Sequence, residues 1–144
     1  MNRPYAHAVD LLRSAGLRPT RQRIALARLL FDGRDRHLTA EDVHAEAAAG
    51  GVRVSLATVY NALHQFTASG LLREVVVDPG RSYFDTNASD HHHFYFVETG
   101  ALQDIASDDV AVSALPEPPA GTQVNRVDVI VRVSRRAPAV RKNP

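Results

Sequence analysis

The chain has 144 residues and no cysteine, so it is long enough for one domain or two small ones and has no disulfide, thiolate zinc site, cysteine nucleophile or cysteine-based haem motif. Its net charge of +1 conceals an asymmetry: residues 1–36 carry eight arginines against three acids, residues 83–125 seven acids and no Lys or Arg, and residues 126–144 six Lys/Arg and one acid. A basic start and an acidic, histidine-bearing middle point to polyanion binding in one part and cation binding in another.

No stretch approaches the roughly 18 to 20 apolar residues of a membrane span. The opening MNRPYAHAVDLLRSAG is amphipathic and lacks the apolar core and cleavage site of a signal peptide, so a cytoplasmic protein with no membrane partner is expected. Residues 5–15 place Ala8, Val9, Leu11, Leu12 and Ala15 at helical spacing, and Gly16 is a natural stop. A second helix follows Thr20 as N-cap, with Ile24, Ala27, Leu30 and Phe31 on one face. A third follows Thr39, with Glu41 and Asp42 in its first turn and Gly50–Gly51 at its end.

The fourth helix has Ser55 as N-cap, a stripe of Leu56, Val59, Leu63 and Phe66, and Gly70 as its close. Its other face carries Ala57, Thr58, Asn61, His64 and Gln65, none of them acidic. Two extended runs, LLREVVV and RSYFD, then flank Asp78–Pro79–Gly80 and predict a hairpin. Three helices, a polar-faced fourth and a hairpin make the pattern of a winged helix-turn-helix, in which the fourth helix enters the major groove and the hairpin is the wing. A small α+β domain that touches no DNA fits the same pattern.

Beyond it, HHFYFVETGALQDI reads as two short strands around Thr99–Gly100, ASDDVAVSAL as a short capped helix and PEPPAG as a stiff loop. VNRVDVIVRV alternates, with Val127, Val129, Val131 and Val133 on one face and Asp128, Ile130 and Arg132 on the other. That apolar face is larger than one short helix covers, which predicts pairing with a second copy of the chain. The tail SRRAPAVRKNP is basic and is expected to be mobile. The fold class expected is therefore α+β: a winged helix-turn-helix DNA-binding domain over residues 1–84, then a small α/β dimerisation and sensing domain over 85–144.

The run His91–His92–His93 lies in the acidic middle. By itself it fits metal ligands, haem ligands, a pH switch or a solvated turn. In an extended segment His91 and His93 point to one side and His92 to the other. A non-haem metal enzyme is not expected, because no general base or lid accompanies the histidines.

The words GLRPTRQR, TAEDVH and SLATVYNAL and the later histidine cluster ahead of a strand–Gly–strand, running over about residues 10–135, resemble the ferric uptake regulator superfamily of bacterial metal-responsive repressors. Within it the chain is most similar to the iron response regulators (Irr) of alphaproteobacteria. That finer resemblance rests on AGLRPTRQR, LTAEDVHAEA, VSLATVYNALHQ, YFDTN followed by HHHFYF, and LPEPPAG. The triple histidine is characteristic of that branch, whereas most ferric uptake regulators have His-His-Asp-His.

The resemblance implies a homodimer on double-stranded DNA, with the N-terminal half on the duplex. Arg18, Arg21 and Arg23 would meet phosphates or the narrow minor groove of an A/T-rich operator. Ser55, Thr58, Tyr60 and Asn61 would lie on the recognition helix, Tyr60 near a thymine methyl and Asn61 on adenine. Packing in the core is the alternative for Tyr60. The family often carries arginine where this chain has Asn61.

The same carry-over makes His37, Asp85, His91, His93 and Asp104 the ligands of a divalent metal, Mn2+, Fe2+ or Zn2+. Both acids are aspartate where the family usually has glutamate. A second site lacks its last-strand histidine, Val127 standing near that place, so at most one strong site is expected. In the iron response regulators the regulatory ligand is haem, which would bind here at His91, His92 and His93. The implied function is a transcriptional regulator of iron and haem homeostasis, active in low iron and released from DNA by haem. The alternative is a repressor directly corepressed by Fe2+ or Mn2+.

Overall fold

The structure, a computed structural model, describes residues 5–137; residues 138–144 of the basic tail lie outside them. The chain divides into two compact units, one up to Ser89 and one from Asp90.

The first unit runs α1 (Ala6–Ser14), α2 (Arg21–Leu30), β1 (His37–Leu38), α3 (Ala40–Ala49), α4 (Leu56–Ala68), β2 (Arg73–Asp78) and β3 (Arg81–Asp85). Three helix starts are fixed by side chains that accept otherwise unpaired backbone N–H groups. Thr20 accepts from Arg23 at 3.2 Å and Ser55 from Thr58 at 3.1 Å. Thr39 and Asp42 form a reciprocal capping box at 3.0 and 3.1 Å. At the end of α4, Gly70 takes φ +86°, a conformation other residues resist, and the Leu71 N–H returns to the Phe66 carbonyl at 2.9 Å.

The core joins Leu12 of α1, Leu26 and Leu30 of α2, Val43 of α3, Val59, Leu63 and Phe66 of α4, and Phe84 of β3. Each such side chain removed from water contributes about 1.5–3 kcal/mol. Two details differ from the sequence reading. Leu26 is buried on α2, whereas Ile24 and Phe31 are half-buried. On α4, Ala62 joins the buried face and Leu56, at the exposed first turn, is half-buried.

β2 and β3 form the expected hairpin, with Pro79–Gly80 between the register partners Asp78 and Arg81 and Gly80 at φ +75°. The two-residue β1, which the sequence does not announce, adds to the other side of β3, giving the order β1-β3-β2.

The second unit is a three-stranded sheet of β4 (His91–Phe96), β5 (Leu102–Ala106) and β6 (Ile130–Val133), in the order β5-β4-β6. β5 is antiparallel to β4, and β6 is parallel to it. A parallel neighbour needs a long return path, and residues 107–129 supply it.

Here two expectations are corrected. The helix expected over 106–115 is only a 3-10 turn at Ser107–Asp109. Val110 and Val112 are β-branched and Pro116 bars continuation, and Val112 and Leu115 stay exposed, so no packing face stabilises a helix. The strand expected over 124–133 is regular only from Ile130, with Val127 and Val129 half-buried before it. No described helix is long and apolar enough to cross a membrane.

Candidate functional site

The metal-ligand candidates fall into two sets, one in each unit. In the first unit His37 and Asp85 are register partners across β1 and β3, and His37 Nε2 lies 3.1 Å from Asp85 Oδ2. Asp85 is fully buried, and its Oδ1 accepts the Asn87 N–H at 2.9 Å. One residue along, the Arg36 N–H donates to Thr86 Oγ1 at 2.8 Å and the Thr86 N–H to the Arg36 carbonyl at 3.0 Å. These bonds extend the β1–β3 ladder and hold the His37 backbone in register. The Arg36 guanidinium is tied to Glu46 of α3 at 2.6 Å.

In the second unit burial alternates along β4. His91, His93 and Tyr95 are buried; His92, Phe94 and Phe96 are half-buried on the other face. Asp104 of β5 is the register partner of His93. Its Oδ1 lies 3.2 Å from His91 Nε2 and 3.4 Å from His93 Nε2. The two rings pack edge to face at 4.6 Å between centroids. The three residues thus offer one nitrogen or oxygen each, all within 4.8 Å of one another.

His92 is not part of this cluster. Its Nδ1 accepts the Val129 N–H at 3.1 Å, which stitches β4 to the approach of β6. A ring nitrogen that accepts is deprotonated, so in the neutral ring the proton sits on Nε2. His92 as it stands offers no ring nitrogen ready to ligate.

The nucleic-acid candidates are all in the first unit. Arg18, Arg23, Thr58 and Asn61 line one cleft between the start of α2 and the polar face of α4, together with Gln65. Arg21 and Ser55 are exposed outside it. Tyr60 is 37 % exposed, which removes the core-packing alternative. It leans to the other side of α4, into a cleft with Glu41, His64, Glu74 and Arg81. Its hydroxyl donates to Glu41 Oε1 at 3.0 Å. That hydrogen bond to a carboxylate, with lesser help from desolvation and the nearby negative charge, raises the phenol above its ordinary range.

Glu41 and Gln65 stand out in the sequence only by helix position, in the first turn of the third helix and on the polar face of the fourth, and carry no expected role there; in the structure Glu41 holds Tyr60 and Gln65 holds Arg23. The available signal for the role of Gln65 was its place four residues after Asn61, on the same face of α4.

Residues 14–129 match the model of the ferric uptake regulator family. The chain is 40 % identical over 92 residues to the ferric uptake regulation protein of Pseudomonas aeruginosa, a match spanning 63 % of this chain and 69 % of that one. It is 36 % identical over 98 residues to the ferric uptake regulation protein of Legionella pneumophila, covering 67 % of this chain and 72 % of that one. Among solved structures, the ferric uptake regulator from Pseudomonas aeruginosa with manganese superposes with a TM-score of 0.70 at 28 % identity, over 90 % of this chain and 98 % of that one. The regulator from Francisella tularensis with iron shares the fold, with a TM-score of 0.67 at 22 % identity over 83 % of this chain and 92 % of that one.

Proposed function

The chain belongs to the ferric uptake regulator family, and from that premise we propose that it is a metal-dependent transcriptional regulator whose binding to duplex DNA is strengthened by Fe2+ or Mn2+. The observation that carries this reading is the second-unit cluster, in which two buried histidines converge on one carboxylate oxygen of Asp104. Three donors are fewer than a first-row divalent ion takes. The first unit holds a further pair, His37 and Asp85.

In this reading both sets close on one ion. Three imidazoles and two carboxylates are hard or borderline donors suited to Mn2+, Fe2+ or Zn2+ at five or six coordinates. Because the donors belong to both units, a bound ion biases the angle between them. In a homodimer that angle sets the spacing of the two α4 helices and hence the fit to the operator. That the relative from Pseudomonas aeruginosa was solved with manganese supports the choice of ion.

On the DNA, Arg18, Arg21 and Arg23 meet phosphates or an A/T-rich minor groove. Ser55, Thr58, Tyr60 and Asn61 face the major groove. Such a regulator works in the cytoplasm and performs no catalysis.

A second reading is the iron response regulator, bound to its operator in low iron and released by haem at His91, His92 and His93. It is supported by the triple histidine and by the half-buried His92, Phe94 and Phe96 on the face of β4 away from the cluster. Against it stand the engaged Nδ1 of His92 and the burial of His91 and His93. The two readings differ in sign. Operator binding is measured with chelator, with Mn2+ and with haem. Tightening by Mn2+ and indifference to haem support the first reading; full affinity in chelator and release by haem replace it with the second.

A further inference from the structure

Arg23 of α2 and Gln65 of α4 lie 42 residues apart in sequence and are joined by two hydrogen bonds. The Arg23 Nε donates to Gln65 Oε1 at 3.2 Å and Nη2 donates to the same oxygen at 2.9 Å. Nη1 donates to the Arg18 carbonyl at 2.8 Å. A guanidinium has donors only, so the orientation of the carboxamide follows: its oxygen faces Arg23 and its NH2 faces away. Three of the five guanidinium N–H groups, one each on Nε, Nη1 and Nη2, are thereby engaged, and two remain. Both side chains line the cleft that also holds Arg18, Thr58 and Asn61.

We infer that Gln65 is a positioning residue for DNA contact: it clamps the Arg23 guanidinium against the polar face of α4, so that the two remaining N–H groups meet the DNA backbone in register with Asn61. The inference rests on the DNA-binding reading above. An arginine on a flexible stem loses rotamer freedom when it is fixed on a phosphate. One already held at both edges has lost that freedom before the duplex arrives. Gln65 is itself unsuited to the bidentate pair with adenine, because that pair needs the carboxamide oxygen as an acceptor, and Arg23 occupies it. Its effect on affinity therefore runs through Arg23. The link also fixes α2 to α4, so the phosphate contact and the base contact move as one body.

The test uses the full-length protein loaded with Mn2+ and a duplex that the wild type selects from a random pool. Compared are the wild type, Gln65→Met, Gln65→Asn, Arg23→Ala and the double variant Gln65→Met/Arg23→Ala. Methionine keeps the bulk and removes the acceptor; asparagine keeps the chemistry and loses the reach. Each single variant is expected to weaken binding roughly tenfold. Each is also expected to lower the slope of log affinity against log salt by about one. The double variant is expected to bind no more weakly than Arg23→Ala, because both changes remove one contact. Wild-type affinity in Gln65→Asn, additive losses in the double variant, or an unchanged salt slope in Gln65→Met overturns the assignment and leaves the DNA-binding reading standing. A wild type that selects no duplex overturns that reading, and the assignment with it.

Discussion

His37 and Asp85 face each other across β1 and β3, with Nε2 and Oδ2 3.1 Å apart. A strand of two residues has almost no pairing energy of its own. It is held here by its ladder to β3 and by the Arg36–Thr86 bonds beside it. The hairpin therefore serves as the support for this half of the proposed metal site. Replacing Asp85 by alanine removes one of five proposed donors and orphans the Asn87 N–H. The expected result in a calorimetric Mn2+ titration is a loss of at least ~100-fold in affinity, the upper end of what even indirect partners of a ligand contribute. Wild-type affinity in Asp85→Ala would remove Asp85 from the site.

The helix caps and the hairpin were legible because their signals are local. Thr20, Thr39 and Ser55 each stand next to the N–H groups they accept, and Pro79–Gly80 carries its own backbone preference. The split of the three histidines was legible for the same reason, since alternation is a property of any extended segment. What could not be read depends on partners distant in sequence. β1 exists only through β3. Tyr60 is drawn to Glu41 and Arg23 to Gln65 by contacts across helices. The expected helix over 106–115 failed for the converse reason: its local pattern found no surface to pack on.

His92 separates the two functional readings. Its ring accepts the Val129 N–H, so its loss leaves that half-buried donor unpaired. His92→Ala is expected to destabilise the fold by about 1 kcal/mol in urea unfolding and to leave Mn2+ affinity unchanged, because the His91–His93–Asp104 cluster lies on the opposite face of β4. A large loss of Mn2+ affinity in this variant would place His92 among the ligands.

The capping box at the start of α3 gives a stability prediction independent of metal. Thr39 and Asp42 satisfy one N–H each. Thr39→Ala removes one of the two bonds and is expected to cost about 1 kcal/mol. The change should appear as a lower urea midpoint at unchanged slope. An unchanged midpoint would mean that water replaces the cap without loss.

The Tyr60–Glu41 pair has a pH signature. The phenol donates to the carboxylate, and that bond raises its pKa above the ordinary 10.0. The protonated form is thus the one the fold favours. Whatever stability the pair contributes is fully present below pH 10.0 and is lost as pH rises through the raised value. The Tyr60 contribution to the phenolate absorbance is expected to titrate above 10.0. Glu41→Ala removes both the acceptor and the charge that oppose a phenolate, and that contribution should move back toward 10.0. A titration curve unchanged by this substitution would show that the carboxylate does not hold Tyr60 in solution.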